Sequence, residues 1–156
     1  MDYTYIEDFS KTSVDNMEVV QAALAETSTV VDTKLFPLIE EAENGNFLAQ
    51  AELFEMFVYG NHDITPDYQM AKRYFEKVQA ANIESQDPVR IAEGLKAAAR
   101  MHYHFDKLWL ASSAYMECFK YTVANLEPND WDSEVIKVVA DNLEDYQDDS
   151  EEIELE

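Results

Sequence analysis

Residues 42–60 read AENGNFLAQAELFEMFVYG, and residues 67–82 follow as DYQMAKRYFEKVQAAN. In both segments the apolar side chains return every three or four positions, the period of a helix with one buried face. Gly45 and Gly60 stand where each helical pattern stops, and Pro66 precedes the second segment, so the sequence marks the ends of two helices as well as their faces. The small residues Ala49 and Ala71 let paired helices approach closely, and Phe57, Tyr74 and Phe75 fill the space between them.

The same period extends outward in both directions. Seven helices are expected. The first follows an N-cap at Ser13 and turns Val14, Met17, Val20 and Leu24 to one side. The second covers about Val30 to Asn44, with Val31, Leu35, Leu38 and Ala42 inward and an interruption at Pro37. The third runs from Phe47 to Tyr59 and the fourth from about Asp67 to Asn82. The fifth begins at Asp87-Pro88, an N-cap followed by proline at the first helical position, and continues to about His104. A sixth spans Lys107 to Asn125, and a seventh about Asp132 to Tyr146. Strand signals are essentially absent.

A shift of 40 residues places Ala71 on Ala111, Phe75 on Tyr115 and Val78 on Cys118, the self-similarity expected of stacked helix hairpins. Residues 42–78 resemble a Sel1-like repeat, a relative of the tetratricopeptide repeat, with Phe54 standing where that pattern usually has glycine. Leu95, Ala98, Ala99, Ala111, Tyr115 and Cys118 are closer to a tetratricopeptide pattern. The resemblance implies an all-α, right-handed solenoid of about three stacked hairpins with a C-terminal capping helix. It also implies protein binding, since such proteins serve as adaptors, chaperones for secreted proteins and bacterial immunity proteins, and are not usually enzymes. One domain is expected over residues 1–146, with a flexible arm at 1–12, a repeat core at 42–125 and an acidic, disordered tail at 147–156.

Composition narrows the partners. The chain of 156 residues has 33 acidic and 11 basic side chains, a net charge of -22. Residues 1–65 carry 13 acids and 2 bases, residues 66–107 are nearly balanced, and the last 16 residues carry 9 acids and no base. Naked nucleic acid and anionic membranes need a concentrated positive surface and are disfavoured. No apolar run approaches the roughly 20 residues that span a bilayer. The acidic N-terminus, with Tyr3, Tyr5 and Phe9, does not read as an export signal, so a cytoplasmic location is expected.

Few residues suggest chemistry. A single cysteine excludes an internal disulfide framework. His102, His104 and Asp106 form the one metal-like grouping, but positions two apart diverge by about 200° on a continuous helix. A metal-dependent enzyme built on that pair is therefore the weakest reading; no cofactor or metal is expected. Cys118 falls at a core position, His62 in a loop, and Asp132 or Ser133 at the start of the last helix.

The expected activity is that of a non-enzymatic interaction module for a basic partner protein, steered by the acidic N-terminal part and the tail. An immunity or inhibitor protein for a nuclease-type toxin is the sharpest form of that reading. A chaperone for a secreted protein and a DNA-mimic inhibitor are alternatives, and the oligomeric state stays open. Glu52 and Glu55 on the third helix, with Glu93, Lys96, Arg100 and Tyr103 on the fifth, are the candidate partner-binding residues, because the first helix of each hairpin lines the groove of such a fold.

Overall fold

The computed structural model describes residues 14–25, 27 and 31–142. Ser13, the N-terminal arm and the acidic tail lie outside that set. Among the described residues the protein is all-helical. The helices are α1, Val14–Leu24; α2, Phe36–Glu43; α3, Phe47–Tyr59; α4, Tyr68–Ser85; α5, Pro88–His104; α6, Leu108–Asn125; and α7, over 133–142. No strand is present among them, and no helix is long and apolar enough to cross a membrane.

Contacts divide the chain into two compact units, one ending at Ala81 and the other starting at Asn82. In the first, α1 packs on α2 and α2 on α3. The expected second helix is shorter than its pattern suggests. A 3-10 turn over Thr33–Leu35 precedes it, and Pro37 sits in its first turn rather than in its interior. Proline is tolerated there because the first-turn N–H groups have no partner within the helix. The register shifts accordingly: Leu35, Ile39 and Ala42 are buried, whereas Val31 and Leu38 are half-buried. In α1 the buried pair is Val20 and Ala23, with Met17 and Leu24 at its edges.

The link from α2 to α3 is three residues long, Asn44 to Asn46. Gly45 adopts φ +100°, its N–H donates to the Ala42 carbonyl at 3.1 Å, and the Asn46 N–H reaches back to Glu41 at 2.9 Å. These bonds close the C-terminus of α2. The Asn46 side chain then caps α3 by accepting from the Ala49 N–H at 3.0 Å. Buried Gln50 donates to the Ala42 carbonyl at 2.9 Å, tying the two helices across their crossing.

From α3 to α4 the junction is aromatic. Phe57 stacks on Tyr74 with ring centroids 6.0 Å apart and planes 6° from parallel. Phe54, in the position where glycine was the expected residue, meets Phe75 at 5.9 Å. Behind them the Glu43 carboxylate, only 7% exposed, accepts from Arg73 and lies 3.7 Å from the Lys77 ammonium. Burial and this carboxylate push the Tyr74 phenol above its ordinary range, so it remains protonated.

The loop between α3 and α4 turns on Gly60, whose φ of +75° and ψ of 166° suit glycine almost alone. Asn61 accepts from the N–H groups of Asp63 and Ile64, which folds the loop so that Ile64 is buried. Asp67 then caps α4 by accepting from Met70, and also accepts from Thr27.

In the second unit α5 and α6 form an antiparallel hairpin that is extensively packed. Asp87 caps α5 by accepting from the Val89 N–H at 3.0 Å, as the Asp-Pro pair predicts. At the other end Asp106 takes the left-handed conformation, φ 60°, while the Lys107 N–H bonds the His102 carbonyl at 2.8 Å. This repeats the closure seen at Gly45, with aspartate in place of glycine. Helix α7 completes a core of Ala99, Tyr115, Cys118, Val135 and Val139.

Gly60→Ala would place a Cβ 2.7 Å from the Pro66 ring and force an unfavourable φ. A loss of about 1–3 kcal/mol in urea denaturation is expected. Gly45→Ala, whose Cβ would meet nothing within 4 Å, should cost less; equal losses at the two positions would contradict this account of the loop.

Candidate functional site

Helix α3 carries a solvent-facing stripe. Leu48, Glu52, Glu55 and Tyr59 follow one another at intervals of four, three and four, which puts all four on one line along the helix. Leu48 is 77% exposed and Tyr59 55%, and both glutamates between them are exposed. The opposite side buries Ala49, Leu53 and Phe57. The stripe is thus an apolar residue at each end with two carboxylates between, held on a helix fixed by its core face. Neither carboxylate is ion-paired among the described residues. Sequence reading found Glu52 and Glu55 but not Leu48 and Tyr59, because both apolar neighbours also fit the helical core pattern.

The corresponding line on α5 is Val89, Glu93, Lys96, Arg100 and Tyr103. Its two ends are open: Val89 and the adjoining Glu93 are exposed, and Tyr103 is 64% exposed. Its centre is engaged within the chain. The Lys96 ammonium lies 2.7 Å from Asp132, and the Arg100 guanidinium donates to Glu134 at 2.9 Å. The Tyr115 hydroxyl also donates to Glu134, at 3.2 Å. Asp132 itself caps α7 by accepting from the Glu134 and Val135 N–H groups. Lys96 and Arg100 therefore hold the start of α7.

The electrostatics follow from these partners. Arg100, hydrogen-bonded to Glu134, holds that carboxyl below its usual value. Burial alone pushes the Asp132 carboxyl up, but Lys96 and the two backbone N–H groups outweigh it and bring it below the usual value. Burial and Glu134 together push the Tyr115 phenol up to about 12.

The remaining chemistry-bearing residues are dispersed. Helix α5 is continuous through His102 and His104, so the two imidazoles leave it in different directions. No cluster of three or more metal-ligating side chains occurs among the described residues. A cavity of ≈ 170 Å³ lies where α5 and α6 meet the segment before α7, lined in part by Val89, Glu93, Trp131 and Cys118. The Cys118 thiol donates to the Ala92 carbonyl at 3.3 Å, and burial pushes its pKa up, the opposite of what activates a nucleophile. His62 is exposed in the loop after α3.

The pairs at α7 predict a pH dependence. A carboxylate whose pKa is lowered by folding stabilises the fold above its unfolded value, and the contribution is lost as pH falls through the lowered one. For Glu134 and Asp132, with ordinary values of 4.5 and 3.8, the loss begins as pH falls towards those values and is complete below the lowered ones. Stability from urea denaturation should hold between neutral pH and about pH 5, then fall. Glu134→Gln should lower stability at neutral pH by at most about 1 kcal/mol and flatten the acid fall. Parallel curves for the two proteins would contradict the assignment.

Compared with protein-family models, with curated proteins and with solved structures, the chain matches none.

Proposed function

We propose that this protein is a non-enzymatic protein-interaction module, a short right-handed solenoid of helix hairpins, that binds a basic partner protein through the outer face of α3. The observation that carries the reading is the stripe Leu48, Glu52, Glu55 and Tyr59: two unpaired carboxylates bracketed by exposed apolar side chains on a rigid helix. Interfaces of this make-up take orientation and association rate from charge, and affinity from the apolar or aromatic anchors. The excess of acidic residues in the N-terminal part adds long-range attraction for a basic surface. The resemblance of residues 42–78 to a Sel1-like repeat supports the same reading, and an inhibitor of a nuclease-type toxin is its most specific form.

Capture from a lysate tests the proposal. Wild-type protein should retain basic proteins at low salt, less at physiological salt, and the double variant Glu52→Lys/Glu55→Lys should lose them while keeping its helical circular dichroism. Retention of mainly neutral or acidic proteins, or of the same basic proteins by the variant, would sink the α3 assignment.

A further inference from the structure

Helix α6 exposes a second face, of different character. Trp109, Ser113, Glu117, Lys120 and Ala124 are all exposed, at intervals of four, four, three and four, and so form one stripe. Trp109 is 74% exposed; Leu108 and Leu110, its neighbours in sequence, are about half exposed, and so is Val123 near the other end of the helix. A shallow hollow of ≈ 320 Å³ runs along the stripe, floored by Ser112 and half-buried Met116. An exposed tryptophan beside a hollow is the kind of feature that a partner surface can fill.

Charge chooses the occupant. Glu117 and Lys120 are the only charged residues between 108 and 125, and neither is ion-paired among the described residues. In a chain of net charge -22 this face is locally neutral, so it offers a basic partner no particular attraction. It is, however, complementary to itself. When two such stripes run antiparallel about a two-fold axis between positions 118 and 119, Glu117 of each copy faces Lys120 of the other. Ser113 then faces Ala124, two small side chains that allow close helix approach, and each Trp109 reaches the turn Pro128–Asp130 that follows the other α6. An isologous contact needs this reciprocity, with the same patch on both subunits.

We infer that α6 is a homodimerisation face, with reciprocal Glu117–Lys120 pairs setting its register and Trp109 closing its ends. The inference is independent of the α3 proposal, since the two faces share no residue. Sedimentation velocity of the full chain over a concentration series into the high micromolar range tests it at about 0.15 M salt. A reversible monomer–dimer equilibrium is expected. Glu117→Lys and Lys120→Glu should each raise the dimer Kd about tenfold or more, because each places like charges opposite one another twice. The combined variant should return to within about threefold of wild type, and Trp109→Ala should weaken the dimer without rescue by either swap. The substituted side chains are exposed, so each variant should retain wild-type circular dichroism. A protein monomeric at every concentration overturns the inference, and so does a dimer whose Kd neither single swap changes.

Discussion

The structure depends on how closely its helices can approach. Each of α1 to α6 places at least one alanine in the interior: Ala23, Ala42, Ala49, Ala71, Ala98 with Ala99, and Ala111, none more than 8% exposed. Alanine is the best helix former and leaves the least bulk at a crossing, so the same residue favours the helix and sets its packing distance. Larger side chains then fill the space beside each crossing, as Leu53, Phe57 and Tyr74 do in the first unit and Met101 and Tyr115 in the second. With those faces committed to the interior, what each helix turns outward is free to differ.

That difference separates the charged groups into two kinds. Glu43 with Arg73 and Lys77, and Lys96 and Arg100 with Asp132 and Glu134, are pairs between elements and hold helix ends in place. Glu52, Glu55, Glu117 and Lys120 face outward on stripes anchored by exposed leucine, tyrosine or tryptophan. An acidic chain thus uses several of its few basic residues internally, which leaves the α3 carboxylates uncompensated and the α6 face neutral. The two faces consequently favour different occupants.

Much of the fold was legible in the residues. The Asp87-Pro88 start, the Gly45 stop and the three-four spacing of Leu53 and Phe57 are local signals with local causes, and the structure agrees with each. The second helix was misread at its start because Pro37 fits a helix interior as an interruption and a first turn as a beginning, and sequence spacing does not choose between them. The candidate site was legible only in part. The ion pairs that engage Lys96 and Arg100 join residues 36 and 34 apart, a separation that no local pattern encodes. Leu48 and Trp109 were hidden for another reason: α3 and α6 are apolar on most sides, so periodicity alone cannot say which large side chain stays outside.

Hydrogen–deuterium exchange of the protein alone and with a basic protein that it retains bears most directly on the central claim, that α3 presents the partner-binding face. Added protection is predicted over residues 47–59 and not over 108–125. Protection centred on α6, with α3 unchanged, would contradict it.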